Sequence, residues 1–165
     1  MQDYNPTRWL WLSALVILLD QISKQVAEAQ LIAHQTVKLF SWFDWFLTYN
    51  TGAAFSFLAG AGGWQRWFFT IAAIVISLII FFWIRKLPAD EKLTALSLSL
   101  ILGGAIGNVI DRILFGHVID FIRVWLGSYP WPAFNLADSA ISLGAVMLII
   151  SSFTGSKKNS SEQPS

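Results

Sequence analysis

Four stretches of predominantly apolar residues, each about as long as a bilayer is thick, constrain this 165-residue chain more than any other feature. A transmembrane helix needs about 20 such residues. The stretches lie at about 9–27, 67–84, 93–114 and 137–153. They leave no room for a separate soluble domain. The sequence therefore predicts an all-α membrane protein: one integral membrane domain over 1–165, four transmembrane helices, and a polar tail (about 154–165) expected to be disordered.

Composition agrees with a membrane protein and excludes several other classes. Apolar and aromatic residues make up 55% of the chain and charged residues 13%, against about a quarter charged in soluble domains. The net charge of +1 and the lack of a basic stripe argue against a nucleic-acid partner. The chain has no cysteine, which excludes thiolate metal sites, cysteine nucleophiles and a lipid-modified cysteine of its own.

The connections between the stretches differ in length. The connection at 85–92 is short, whereas those at about 28–66 and 115–136 are long and rich in aromatic residues. Within the connection at about 28–66, residues 35–58 show short alternating aromatic runs interrupted by Asn-Thr-Gly. This pattern predicts a small β-hairpin or curved sheet lying at the membrane surface.

Lysine and arginine residues suggest the orientation. An even number of spans puts both termini on one side of the membrane. More basic residues fall on that side, namely Arg8, Arg85, Lys86, Lys92, Lys157 and Lys158. By the positive-inside tendency the termini are cytoplasmic and both long connections face outward.

The first stretch has an alternative interpretation. Its core WLWLSALVILL and the small residues of Ala27-Glu28-Ala29 are also typical of a cleaved secretory signal peptide. A chain cut there would keep three spans, and its termini would lie on opposite sides.

Four carboxylates lie within or at the edge of the predicted spans, where an ionised group is costly and normally faces a partner or a cavity. They are Asp20, Asp111, Asp120 and Asp138, and all fall toward the outward end. Asp20 and Lys24 are spaced i,i+4, which predicts an ion pair within one helix. The alternative for Asp20 is a structural hydrogen-bonding role.

The third stretch contains GGAIGNVIDR, residues 103–112. Its small residues Gly103, Gly104 and Gly107 predict a tight helix–helix contact. For the polar residues Asn108, Asp111 and Arg112, support of a nearby site is favoured over direct chemistry.

The fourth stretch opens with FNLADSA, in which Asn135 can be the N-cap and Asp138 the third helical residue of a capping box. Taken alone, Asp138 is a helix cap. With Asp120 it can form a second kind of site, because two carboxylates in one desolvated pocket cannot both ionise easily. One then holds a proton while the other acts as a base, as in an aspartic peptidase.

Other classes of site fit less well. Intramembrane carboxylates also occur in transporters, so a small ion-coupled transporter or channel subunit using Asp20, Asp111 and Asp120 is the alternative function. A metal site at His117 and Asp120 is disfavoured, because the chain has a single further histidine, His34.

Five segments together are similar to the lipoprotein signal peptidase (signal peptidase II) family. They are LDQISK (19–24), LTYNTGAAFS (47–56), GGAIGNVIDR (103–112), HVIDF (117–121) and FNLADSAI (134–141). The resemblance implies a four-helix aspartic endopeptidase of the bacterial inner membrane, with both termini cytoplasmic. Such an enzyme cuts prolipoproteins just before their diacylglyceryl-modified cysteine.

The resemblance also implies roles for particular residues. It puts the catalytic dyad on Asp120 and Asp138, and the supporting polar residues on Asp20, Asn50, Gly52, Asn108, Arg112 and Asn135. It implies lipid-modified prolipoproteins and membrane lipid as partners, no nucleic acid, and neither a metal nor an organic cofactor. The match to LDQISK favours a retained first span. We further expect the loop at 35–58 to cover the site, with Asn50 reaching the substrate backbone.

Overall fold

The computed structural model describes residues 5–52 and 63–160, with side chains up to 153. A short 3-10 turn at Pro6–Trp9 leads into the first of four long helices. The helices are α1 (Leu10–Gln30), α2 (Trp64–Ile84), α3 (Lys92–Leu114) and α4 (Leu136–Ser160). Each is long and apolar enough to cross a membrane. The four predicted helices are therefore confirmed.

Helix α3 is the central element. About 67% of its apolar window is buried, against 17–28% in the other three helices. It packs against α1, α2 and α4. An apolar core joins it to α2 and to the turn after α2, through Ile80, Ile84, Leu87, Ala95, Leu98 and Leu102. On the side that faces away from α3, the other helices carry exposed large apolar residues, as expected for surfaces in contact with lipid.

The predicted close contact at the glycines of α3 is present. A Cβ added at Gly103 would lie 2.7 Å from the Cβ of Val16 on α1. One at Gly104 would overlap the carbonyl oxygen of Ala137 on α4, and one at Gly107 would lie 2.6 Å from Oδ2 of Asp20. Small residues at these positions let both neighbouring helices approach the α3 backbone.

The two long connections form one four-stranded antiparallel sheet in the order β1-β2-β3-β4. Strands β1 (Thr36–Phe40) and β2 (Phe43–Asn50) form the hairpin predicted within 35–58, and residues 53–58 of that segment lie outside the described residues. Strands β3 (Val118–Leu126) and β4 (Tyr129–Pro130) come from the second connection. The sheet packs on the end of α1 through Ala27, Leu47, Ile119 and Phe121.

Two elements differ from the prediction. Strand β3 was not predicted, because its first four residues are buried on both faces and so lack the alternation of polar and apolar residues that marks a half-buried strand. Helix α4 runs on to Ser160, where a disordered tail was expected from about 154. The helix is polar there, but it meets no proline before Pro164, and polarity alone does not end a helix. Residues 161–165 lie outside the described part.

The close approach at Gly104 leads to a prediction. Gly104→Ala should destabilise the protein by about 1–3 kcal/mol, because the added methyl group forces α4 away from α3. Thermal unfolding in detergent measures the effect. The control is Ile113→Ala, which removes an exposed apolar side chain on the same helix. Equal unfolding temperatures for Gly104→Ala and wild type would contradict the proposed contact.

Candidate active site

The polar groups gather at the N-terminus of α4, which begins with the predicted capping box. The side-chain oxygen of Asn135 accepts a hydrogen bond from the backbone N–H of Asp138 at 2.9 Å. In return, Oδ2 of Asp138 accepts one from the backbone N–H of Asn135 at 3.3 Å. These reciprocal bonds fix where the helix starts and hold the Asp138 carboxylate at its positive end.

Asp120 lies on β3, paired with Thr48 of β2. Its Oδ1 accepts a hydrogen bond from Nδ2 of Asn135 at 2.8 Å, and its Oδ2 accepts one from Nδ2 of Asn50 at 3.1 Å. Asn135 therefore contacts both carboxylates, that of Asp138 through its backbone N–H and that of Asp120 through its side-chain nitrogen. The structure brings the two aspartates of the predicted dyad to one asparagine.

The environment of Asp120 favours its protonated form. The carboxyl is 2% exposed. Burial, and then the negative charge of Asp138, raise the pKa of Asp120 to about 7, although the hydrogen bonds from Asn50 and Asn135 act in the opposite direction. At neutral pH Asp120 can therefore supply a proton.

A buried lysine balances the remaining carboxylates. The Lys24 ammonium is 1% exposed and lies 2.7 Å from Oδ2 of Asp20 and 2.8 Å from Oδ2 of Asp111. Its third contact is with Oδ1 of Asn108 at 3.0 Å. All three donors of the ammonium are thus used, which a buried charge requires. The predicted Asp20–Lys24 pair is confirmed, and Lys24 also links α1 to α3.

Asp20 also has the structural role that was its alternative. Its Oδ1 accepts a hydrogen bond at 2.9 Å from the backbone N–H of Ala137, one of the free N–H groups in the first turn of α4. Asn108 continues the chain of contacts, because its Nδ2 donates to Oδ1 of Asp138 at 2.8 Å. A continuous series of hydrogen bonds therefore connects Lys24 through Asn108 to Asp138.

The segment that follows β2 is attached to the same cluster. The backbone N–H of Gly52 donates to Oδ1 of Asn50 at 3.0 Å, which is an Asx turn. The carbonyl of Gly52 accepts from Nη2 of Arg112 at 3.0 Å, and Nη1 of Arg112 donates to the carbonyl of Asn108 at 3.3 Å. Arg112 thereby holds the turn that presents Asn50 to Asp120.

All nine residues predicted to form or support the site thus lie in one network, and the structure adds two more. Lys24 was predicted as half of an intrahelical pair, without its contacts to α3. Gln21 was not predicted at all, yet its Nε2 donates to Oδ1 of Asp111 at 2.8 Å and to the carbonyl of Gly107 at 3.2 Å. The available signal was the polar run Asp20–Lys24 in an otherwise apolar span, which needs polar partners elsewhere in the chain.

Competing sites gain nothing from the geometry. The ring of His117 packs on Tyr49 with centroids 4.5 Å apart. Among the residues that the structure describes, no three His, Asp or Glu side chains are placed to hold a metal ion. Asp111, part of the alternative ion path, is paired with Lys24.

Comparisons with known proteins agree with this arrangement. A sequence model of the family described as signal peptidase (SPase) II matches residues 12–154. A lipoprotein signal peptidase of Cellvibrio japonicus is 52% identical over 158 residues, covering 94% of this chain and 93% of that protein. One of Pseudomonas paraeruginosa is 52% identical over 151 residues, covering 90% and 89%. A solved structure described as a bacterial membrane enzyme superposes with a TM-score of 0.81 at 27% identity, covering 96% of this chain and 94% of that one.

The four membrane-spanning helices and the family match define the class, a multi-pass membrane peptidase of the aspartic type. Within that class, the chain belongs to the signal peptidase II family. The resemblance seen in the five sequence segments is confirmed.

The buried lysine gives a stability prediction. Lys24→Met should lower the free energy of unfolding by about 3–5 kcal/mol, because it leaves Asp20 and Asp111 buried without a cation. For a chain of this length we expect the unfolding temperature in detergent to fall by roughly 10 °C. Adding Asp111→Asn should restore part of the loss. Lys38→Met, on an exposed strand position, is the control. An unchanged unfolding temperature for Lys24→Met would contradict this account.

The raised pKa of Asp120 gives a pH prediction. The folded state holds this proton more tightly than the unfolded chain, whose pKa lies near 3.8, so stability falls as pH rises from about 4 to about 7. At about 1.4 kcal/mol per pKa unit, the loss is about 4 kcal/mol. Asp120→Asn lacks this titration, so its unfolding temperature relative to wild type should be higher at pH 8 than at pH 5. Parallel pH curves for the two proteins would refute the assignment.

Proposed function

We propose that this chain is an aspartic endopeptidase that removes signal peptides from prolipoproteins, cutting on the N-terminal side of the diacylglyceryl-modified cysteine. Family membership supports the activity and the kind of substrate. The observation that supports a dyad is the bridge through Asn135, which joins a buried, proton-holding Asp120 to an Asp138 held at a helix N-terminus.

The different surroundings of the two aspartates suggest their roles. Asp138 lies at the positive end of α4 and accepts hydrogen bonds from Asn108 and from the Asn135 backbone, all of which favour its carboxylate form. It is the general base. Asp120, with a pKa of about 7, is the general acid.

The reaction follows from this assignment. Asp138 takes a proton from water as the water oxygen bonds to the scissile carbonyl carbon, and Asp120 gives its proton to the carbonyl oxygen. The product of this step is a neutral tetrahedral gem-diol. Asp138 then passes its proton to the amide nitrogen while Asp120 takes back a hydroxyl proton. The C–N bond breaks, leaving a carboxylic acid on the signal peptide and a free amine on the lipid-modified cysteine.

The remaining residues position these two groups. Asn108 and Asn135 orient the carboxylates directly, and Asp20 fixes the first turn of α4 through the N–H of Ala137. Asp111 and Arg112 hold α3 to its neighbours. The turn at Gly52 presents Asn50, whose side chain donates to Asp120. When a substrate peptide replaces this bond, the Asn50 side chain binds the substrate backbone.

The distribution of basic residues supports a proposal for where the reaction takes place. The chain forms one integral membrane domain in the bacterial inner membrane, with both termini and the tail after 153 in the cytoplasm, because the short connection at 85–92 and both ends carry more basic residues. The sheet and the N-terminus of α4 then lie near the outer leaflet. A lipid-anchored substrate reaches this site sideways from the bilayer, and the described part of the predicted loop, residues 35–52, covers it.

Cleavage of a diacylglyceryl-modified prolipoprotein by purified protein tests the dyad. Asp120→Asn and Asp138→Asn should each lower turnover at least about 100-fold, because each removes an acid–base group. Asp90→Asn, which changes an exposed carboxylate in the 85–92 connection, should cleave at the wild-type rate. Since the proposed reaction uses no metal, EDTA should leave the wild-type rate unchanged. Normal turnover by either dyad variant, with folding checked by thermal unfolding, would exclude this mechanism.

A further inference from the structure

An apolar groove of about 340 Å³ lies between the C-terminal part of α1 and the sheet. Its α1 wall includes Val26, Ala27 and Gln30, and its sheet wall is formed by Trp45 of β2 and Phe121 of β3. The catalytic mechanism uses none of these residues. Phe121 directly follows Asp120, and successive side chains of a strand point to opposite faces. The groove therefore lies behind the strand that carries Asp120.

The open side of the groove is continuous with a surface that faces lipid. On α1, Leu19, Ile22 and Val26 are 47–55% exposed and follow one another at helical spacing, so they form an apolar strip that leads into the groove. Since α1 is one of the membrane-spanning helices, acyl chains surround this strip. An apolar cavity of this kind does not hold water stably.

The distribution of apolar and polar residues along the groove fits one kind of ligand, an acyl chain. The α1 wall between Val26 and Ser23 is effectively apolar. The hydroxyl of Ser23 donates to the carbonyl of Asp20 within its own helix, so it offers no free donor to the groove. Gln30, the last residue of α1, also lines the groove and carries a polar side chain at that end of the helix. From Ser23 to Gln30 the groove is about 10 Å long. An apolar slot with a polar group at its outer end fits an acyl chain whose ester lies at the membrane surface.

We propose that an acyl chain of a bilayer phospholipid occupies this groove and supports the sheet from behind. Within the described residues, the core that joins the sheet to α1 is small, consisting of Ala27, Leu47, Ile119 and Phe121. A chain packed against Trp45 and Phe121 extends that core and holds β3 in place. The lipid is then a structural part of the protein, and its binding does not depend on the peptidase chemistry.

Photolabelling tests the occupant. The protein is reconstituted in phosphatidylethanolamine vesicles containing a phospholipid with a diazirine on one acyl chain, and the labelled residues are mapped by mass spectrometry. We expect labels on Trp45 and Phe121 as well as on the exposed strip of α1. Val26→Trp, which fills the groove, should lower labelling of Trp45 and Phe121 severalfold, whereas Ile22→Trp, on the strip but outside the groove, should not.

Thermal unfolding provides a second readout. Adding phospholipid to detergent-purified protein should raise the unfolding temperature of wild type and Ile22→Trp by about 2–4 °C or more. Val26→Trp should respond less, because its indole replaces the acyl chain.

Four results would overturn the proposal. The first is labelling confined to the exposed helix faces, and the second is an equal thermal response in both tryptophan variants. The third is displacement of the label from Trp45 and Phe121 by a diacylglyceryl-cysteine peptide, which would assign the groove to the substrate. The fourth is labelling of residues 53–62 together with Trp45 and Phe121, which would assign the groove to this chain. Each of these results leaves the dyad test unaffected.

Discussion

The structure depends on one buried cation. The Lys24 ammonium contacts Asp20, Asp111 and Asn108 in a region closed to solvent, and each of these partners in turn bonds to α4 or to β3. Asp20 holds the first turn of α4, Asp111 accepts the N–H of Ile119 at the start of β3, and Asn108 holds Asp138. Buried ion pairs add little to net stability, but removing one partner is costly. Loss of the Lys24 ammonium would therefore leave Asp20 and Asp111 buried without a cation, and through them it would affect both α4 and β3.

The N-terminus of α4 is where these contacts converge. A free helix N-terminus leaves several backbone N–H groups unsatisfied, and here α1 supplies a partner for one and Asn135 for another. The glycines of α3 permit this, because a side chain at Gly104 would collide with Ala137 and one at Gly107 with Asp20. Close helix packing and the polar network are thus one feature: the small residues bring the backbones near enough for carboxylates to reach them.

Much of this arrangement could be predicted from local sequence patterns, but the long-range contacts could not. The capping box of Asn135 and Asp138 spans four residues, and the Asp20–Lys24 pair spans one helical turn, so both could be predicted. The bond from Asp20 to Ala137 joins residues 117 apart, and no local pattern encodes it. Strand β3 was not predicted because its first four residues are buried on both faces. Residue patterns alone left the pairing of Asp120 with Asp138 as one possibility, and the resemblance of five segments to a known family singled it out.

Among the described residues, the two side chains that donate hydrogen bonds to Asp120 are the carboxamides of Asn50 and Asn135. A carboxamide carries no net charge at any physiological pH, so it can orient a carboxyl group without forcing it to ionise. A lysine or arginine in either place would orient the group equally well but favour its charged form. The site therefore separates two tasks that a salt bridge would combine: neutral amides set the geometry of the acid, while burial and Asp138 set its protonation. The Lys24 ammonium contacts Asn108, which accepts a hydrogen bond from Asn135, so two carboxamide residues lie between the cation and Asp120.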